Sequence, residues 1–116
     1  MKQASWEECE DFAECVAAIC RTRKFSGVYG VPRGGLVLAV MVSHVAGLPM
    51  LMAPCADCLI VDDIADTGET LAKYAGREYI ATLYYRRGCS YVPNFWLKEK
   101  VDGEWIVFPW EEKCSS

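Results

Sequence analysis

Apolar residues recur at helical spacing from Trp6 through Cys9, Phe12, Ala13, Val16 and Ile19, while Glu7, Glu10, Asp11 and Glu14 fall largely elsewhere. Ser5 followed by Glu8 gives the S-x-x-E order of a capping box, in which two side chains satisfy the free backbone donors of a helix start. The period predicts an N-terminal helix that packs one face on a core and leaves a solvated acidic face. From Phe25 the pattern shortens. Gly27 to Val31 reads as a buried strand, Pro32 to Gly35 as a tight turn, and Leu36 to Val45 as a helix covered by other structure and too short to span a bilayer. Gly47 and Pro49 end that helix, and Met50 to Ala53 supplies a further brief strand. Cys58 to Val61 or Asp62 is the next strand, stopped by charged residues and Gly68. Glu69 to Ala75 reads as a short helix, Glu78 to Tyr85 as a strand, and Trp105 to Phe108 as the last strand. Strands separated by helical connections predict an α/β domain with a mainly parallel sheet, whose ligand loops gather at the carboxyl ends of the strands.

Composition narrows this picture. With 116 residues, 53% hydrophobic, and a formal charge of -4, the chain fits one soluble domain over residues 1–116 and has no room for two. So small a domain has little stability to spare and gains from association, so a homodimer or higher homo-oligomer is expected. The acidity argues against a surface for long nucleic acid or an anionic membrane. Seven cysteines without a basic segment and apolar signal core at the N-terminus suggest a reduced, cytoplasmic protein. Cys55 and Cys58 have metal-ligand spacing, but one such pair is weak evidence for zinc; reduced structural thiols are the favoured reading, with a metal half-site and a disulfide or redox pair as the alternatives. Cys9, Cys15, Cys20 and Cys89 read as small apolar side chains.

The strongest chemistry lies in Leu59 to Thr70, LIVDDIADTGET. Apolar residues deliver the chain from a buried strand, and two adjacent carboxylates, Asp62 and Asp63, emerge at its end in a turn. Such acids accept hydrogen bonds from vicinal hydroxyls or meet a hydrated magnesium ion that also touches phosphate oxygens. Asp66-Thr67-Gly68-Glu69-Thr70 is suited to wrap a phosphate with small residues, hydroxyls and the free amides of a helix start. An acidic turn that merely caps a helix accounts for one or two of these acids, and less well for the whole set. Gly30-Val31-Pro32-Arg33-Gly34-Gly35 is a second candidate anion loop, where glycines admit close approach of backbone amides and Arg33 adds positive potential. It lacks the lysine and hydroxyl of a Walker A loop.

Together these segments resemble the phosphoribosyl-pyrophosphate motif and the pyrophosphate loop of type I phosphoribosyltransferases, especially the small bacterial xanthine-guanine or hypoxanthine branch. The resemblance implies a three-layer Rossmann-like core. It also implies transfer of a phosphoribosyl group from phosphoribosyl pyrophosphate to a 6-oxopurine with release of pyrophosphate and with Mg2+ as cofactor. Asp62 and Asp63 match the acids that bind the ribose hydroxyls and support the metal-bound substrate. Asp66 matches the carboxylate assigned to purine N7 in proton transfer, and Thr67, Gly68, Glu69 and Thr70 match the 5'-phosphate loop. Val31, Pro32, Arg33, Gly34 and Gly35 match the pyrophosphate turn, so Asp66 and Arg33 are the expected catalytic residues. Arg86, with Arg87 as the neighbour that replaces it if the turn shifts, stands where relatives place a cation, more often lysine, that recognises the oxygen at purine position six. Trp105 and Ile106 match an aromatic and aliphatic pair that covers the base, with Trp110 a second candidate core aromatic.

One departure divides two readings. Such enzymes insert a long flexible segment between the strands near Met50 and Leu59, and Ala53 to Cys58 leaves almost no material for that lid. Exclusion of water during reaction then needs another source of cover. The alternative is a catalytically weak or inactive relative that binds nucleotides or phosphoribosyl compounds.

Overall fold

The computed structural model describes residues 1–74, 76 and 79–111. Ser5 and Glu8 cap helix α1, Trp6–Thr22, as a full capping box: the Glu8 amide donates to Ser5 Oγ at 3.1 Å and the Ser5 amide to Glu8 Oε1 at 3.2 Å. Cys9, Phe12, Ala13, Val16 and Ala17 form the buried stripe of this helix, whereas Trp6 at its start is half exposed. Before it lies a two-residue strand, β1, Lys2–Gln3, which the hydrophobic pattern does not signal.

Strand β2, Val28–Gly30, leads through a short turn into α2, Gly34–Ala46, which ends on Gly47 in the left-handed conformation. The helix starts two residues before the expected apolar run, and that run is covered on one side only. Leu38, Ala39 and Val42 are buried, while Leu36, Val40 and Val45 are exposed. Met50–Ala53 does not form the expected strand. Its pairing is a single parallel bridge between Met50 and Val28.

Strand β3, Leu59–Ala65, is longer than expected and carries Asp62 and Asp63 inside it rather than in a turn beyond it. Helix α3 is Glu69–Ala72, a single turn, shorter than the expected helix: Lys73 and Tyr74 already lie in a turn, and Ala75 lies outside the described residues. Strand β4, Tyr79–Arg86, matches the expected strand apart from Glu78, which also lies outside the described residues. An unexpected strand follows, β5, Phe95–Lys100. The last strand, β6, is Ile106–Val107, followed by a 3-10 turn, Pro109–Glu111.

The main sheet has the order β2-β3-β4-β5, parallel throughout, and β6 pairs in parallel with β1 in a separate two-stranded ribbon. Side chains alternate across β3: Leu59 and Val61 join the core beneath α1 and α2 with Phe12, Val16 and Leu38, while Ile60 faces Val31, Leu71 and Ile80 on the other side. The result is the expected three-layer α/β core with two helices on one face and the short α3 segment on the other. Among the described residues no helix is long and apolar enough to cross a membrane. No disulfide joins Cys55 to Cys58. They bond locally, with the Cys58 thiol on the Cys55 carbonyl at 3.1 Å, and no group of three metal-ligating side chains occurs among the described residues.

Candidate functional site

Strand β2 ends at Gly30, in register with Val61, while β3 runs on to Ala65, so the turn after β2 starts beside Asp62 and Asp63 within β3. The Val31 amide donates to the Val61 carbonyl at 2.9 Å, and the Gly35 amide closes the turn on the Val31 carbonyl at 2.9 Å. The Pro32–Arg33 peptide bond within this turn is cis. A Cβ on Gly34 would overlap the Asp63 carboxylate, and one on Gly35 would overlap the Val61 carbonyl and lie 3.0 Å from Asp62 Cα. The glycines are therefore what lets the two sequence motifs meet, Gly35 against the β3 backbone and Gly34 against the Asp63 carboxylate.

Asp62 is 7% exposed, and its Oδ1 accepts the Asp63 amide at 2.8 Å. Burial first, and the charge of Asp63 second, push the Asp62 carboxyl up from the ordinary range. Burial also raises Asp63, with a further contribution from Glu111. Among the described residues neither acid has an ion-pair partner. Two adjoining carboxylates, Asp62 buried and Asp63 half-buried, with no cation beside them among the described residues, form a donor set suited to a hard divalent ion that keeps waters and shares ligand phosphate oxygens, or to the hydroxyls of a sugar.

Beyond β3 the chain turns through Asp66 to Gly68. Gly68 has φ of 89°, and its Cα lies so close to the β4–β5 connection that a Cβ would strike Ser90 and the Tyr91 amide. Ser90 fastens the loop, donating its amide at 3.0 Å and its hydroxyl at 2.7 Å to the Thr67 carbonyl. Thr67 Oγ1 accepts the Glu69 amide at 3.2 Å. The amides of Thr67 and Gly68 donate no hydrogen bond among the described residues. Residues 31–34 on one side and 62–68, with Thr70 and Leu71, on the other enclose a cavity of 310 Å³. Gly35 and Glu69 do not line it.

A second cavity of 180 Å³ shares Asp63, Ile64 and Asp66 with the first and is closed by Trp105, Ile106, Phe108, Glu111 and Lys100. Trp105 and Ile106 thus lie at this end, with Trp105 72% exposed and its neighbour Ile106 buried. Trp110 lines a wide groove of 1080 Å³ that runs past Arg33, Gly34 and Trp105. Among the described residues Arg33 has no ion-pair partner.

Asp66 stands between the two cavities with both carboxylate oxygens engaged. Arg86 Nε donates to Oδ1 at 2.7 Å and to the Asp66 carbonyl at 3.0 Å, and Lys100 Nζ donates to Oδ2 at 3.2 Å. Burial raises the Asp66 pKa, but the hydrogen bonds and charges of Arg86 and Lys100 outweigh it and hold the carboxyl below its ordinary range. Arg86 does not line the 180 Å³ cavity; Lys100 does. Arg87 points away to a salt bridge with Glu99 at 3.1 Å. Lys100, Ser90 and Glu111 are site residues that the sequence pattern does not disclose, because their roles depend on β5, the β4–β5 connection and the C-terminal turn reaching the same sheet edge.

No protein-family model matches the chain. Its sequence is 21% identical over 136 aligned residues to xanthine-guanine phosphoribosyltransferase of Nitratidesulfovibrio vulgaris, covering 94% of the chain and 83% of the relative. Among solved structures, purine phosphoribosyltransferase of Pyrococcus horikoshii superposes with a TM-score of 0.82 at 29% identity, over 99% of the chain and 97% of the relative. The chain has the type I phosphoribosyltransferase fold. The xanthine-guanine-hypoxanthine phosphoribosyltransferase of Helicobacter pylori has the same architecture, with a TM-score of 0.70 at 22% identity over 95% of the chain and 93% of the relative. The resemblance drawn from the two motifs therefore holds at the level of fold and relatives, and those relatives are pentosyl-transferring enzymes. The alignment with the N. vulgaris enzyme is longer than the 116-residue chain itself, so that relative carries additional residues within the matched region.

Proposed function

We propose that this protein is a purine phosphoribosyltransferase that moves the phosphoribosyl group of phosphoribosyl pyrophosphate to a 6-oxopurine, guanine, xanthine or hypoxanthine, and releases pyrophosphate. The observation that carries the reading is the convergence of the glycine turn, the buried acid pair and the Asp66–Thr70 loop on one 310 Å³ cavity. Asp62 and Asp63 hold the ribose hydroxyls. Asp66, Thr67, Gly68, Glu69 and Thr70 surround the 5'-phosphate, Glu69 through its backbone. Val31 to Gly35 bind the pyrophosphate, with Arg33 supplying charge to the leaving group. Trp105 and Ile106 cover the base, Asp66 meets its N7 edge, and Arg86 secures Asp66. The carboxylates of Asp62 and Asp63 suit Mg2+, which when bound neutralises the phosphate oxygens it shares with them. Positioning of the base against the sugar carbon, with no covalent enzyme intermediate, is the main contribution of the chain itself.

Leu36 and Val40, one turn apart on the exposed face of α2, support association with a second copy. The acidic chain fits a cytoplasmic enzyme of purine salvage. The exposure of Trp105 and the short connection over residues 51–58 favour one other reading, a protein that binds such compounds with little turnover. Purified protein with magnesium and phosphoribosyl pyrophosphate, offered guanine, xanthine, hypoxanthine, adenine, uracil and orotate separately, decides between them. Formation of pyrophosphate and nucleotide with a 6-oxopurine is expected. Stabilisation by phosphoribosyl pyrophosphate without product from any base supports the binding role instead.

A further inference from the structure

Cys55, Ala56, Asp57 and Cys58 form a four-residue turn just before β3, closed by the Cys58 amide on the Cys55 carbonyl at 3.4 Å. Such a turn holds its first and last Cα atoms within about 7 Å, the spacing that a disulfide spans. Inside it the Cys58 sulfur lies against the Cys55 backbone, accepting the Cys55 amide at 3.3 Å and donating to the Cys55 carbonyl at 3.1 Å. Cys58 is fully buried, whereas Cys55 is half-buried and directs its thiol to exposed partners. That thiol donates to Asp57 Oδ1 at 3.3 Å and stands 3.4 Å from Ser26 Oγ, which donates to the same oxygen at 2.9 Å. One reachable thiol and one enclosed thiol are thus brought together by rotation about the Cys55 Cα–Cβ bond. The thiols of α1 are less suited to such chemistry, since burial pushes Cys9 up to about 11 and raises Cys20 as well.

We propose that Cys55 and Cys58 form a reversible thiol–disulfide site whose reactant is a low-molecular-weight disulfide, with Cys55 as the attacking thiol and Cys58 as the resolving one. In the first step Cys55, as its thiolate, attacks one sulfur of the small disulfide. That S–S bond breaks, a mixed disulfide forms on Cys55, and the departing thiolate takes up the proton that Cys55 gave to water. In the second step Cys58, deprotonated in turn, attacks the Cys55 sulfur; the mixed bond breaks, the Cys55–Cys58 bond forms, and the second small thiol leaves with its proton. Two protein thiols are oxidised, one small disulfide is reduced to two thiols, and the reverse steps restore the dithiol. Reaction draws the Cys55 sulfur away from Asp57 and Ser26, and so alters the side-chain tie between the residues that lead into β2 and β3. Neither cysteine lines the 310 Å³ or the 180 Å³ cavity, and the turn sits at the amino ends of the strands, so the proposal stands apart from the phosphoribosyl-transfer reading.

The test incubates the reduced full chain with oxidised glutathione, quenches with acid, alkylates the remaining thiols and digests with trypsin. Residues 34–73 then fall in one peptide whose only cysteines are Cys55 and Cys58. Wild type is expected to yield this peptide unalkylated and lighter by two hydrogens than the dithiol, and to regain both alkylatable thiols after dithiothreitol. In Cys58→Ser the glutathione adduct should accumulate on Cys55, and Cys55→Ser should react at least about tenfold more slowly, because only the enclosed thiol is left. Oxidised wild type should melt at or above the reduced protein, since a bond that fits the native turn constrains chiefly the unfolded chain. Two alkylated thiols in wild type, equal reaction of the two variants, or a lower melting temperature on oxidation overturns the proposal. If either variant lacks a cooperative thermal transition, wild type quenched at early times gives the order by fragmentation of the same peptide. Glutathione on Cys55 supports the proposal, and glutathione on Cys58 overturns it.

Discussion

Gly34 and Gly35 are adjacent, yet the structure assigns them different costs when a methyl group is added. At Gly35 the methyl meets backbone, the Val61 carbonyl and Asp62 Cα, so α2 and β3 must separate. Overpacking of this kind costs about 1–3 kcal/mol, and the better helix propensity of alanine returns at most about 1 kcal/mol. A Cβ that overlaps a backbone oxygen belongs at the upper end of that cost, a net of about 2 kcal/mol, so at about 4 °C per kcal/mol for a chain of this size Gly35→Ala should melt roughly 8 °C lower. At Gly34 the methyl meets the Asp63 carboxylate, a side-chain end that can rotate. An off-rotamer shift costs about 0.5–1.5 kcal/mol, which helix propensity largely offsets. Gly34→Ala should therefore melt within about 3 °C of wild type but lose about 1.5–3 kcal/mol of phosphoribosyl pyrophosphate binding, roughly ten- to a hundredfold in affinity, because Asp63 is displaced. Thermal unfolding without ligand and titration calorimetry with magnesium and phosphoribosyl pyrophosphate measure the two effects. Wild-type binding by Gly34→Ala would refute the role given to Asp63, and wild-type melting of Gly35→Ala would refute the backbone contact between the motifs.

Asp66→Asn should keep most affinity for ribose 5-phosphate while losing catalytic rate, since its shape survives and its charge does not; equal kcat in the variant removes Asp66 from the chemistry. Because Asp62 and Asp63 are raised by burial, the folded protein holds protons that the unfolded chain releases, so ligand-free stability is greatest below about pH 4 as far as this pair is concerned and falls as pH rises toward their raised values. Asp62→Asn should flatten that decline in melting temperature between about pH 4, the ordinary carboxylate value, and about pH 8, to which Asp62 is raised; a slope as steep as wild type argues against it. Ser90→Ala removes one of two bonds to the Thr67 carbonyl and should weaken ribose 5-phosphate binding by about two- to tenfold, with inorganic phosphate competition as the readout.

The acid motif was legible because its residue types are costly in a strand end that serves no ligand, and α1 was legible because its period and its cap agree. What sequence pattern misjudged was where β3 stops. Charged residues ordinarily end a buried strand, but here the ladder to β4 continues past Asp62 to Ala65, in register with Tyr85, and draws the acids into the sheet. Strand β5 was hidden for a related reason. Lys98, Glu99 and Lys100 read as a polar connection, yet β5 lies at the edge of the sheet, with β4 as its neighbour there, and an edge strand tolerates charge. Missing β5 meant missing Lys100, whose partner Asp66 is far away in sequence and adjacent only through the parallel pairing of β4 and β5. Met50 failed as a strand because a single bridge to Val28 gives it no ladder.

The order of the sheet explains how so short a chain keeps a complete set of binding groups. Because β2, β3, β4 and β5 are neighbours in chain order, their carboxyl ends present the glycine turn, the acid pair, Arg86 and Lys100 in the same sequence along one edge. Each group is held by the strand pairing next to it: Val31 by Val61, Gly34 and Gly35 by close approach to β3, Asp66 by the ends of β4 and β5. None of these contacts is made by residues 51–58, whose hydrogen bonds among the described residues include those to each other and to Ser26 and Val28. Shortening that connection therefore removes material that could cover a ligand while leaving the groups that bind it in place. Binding and turnover separate physically at this point, since the first requires only the sheet edge and the second also requires exclusion of water from the reacting atoms.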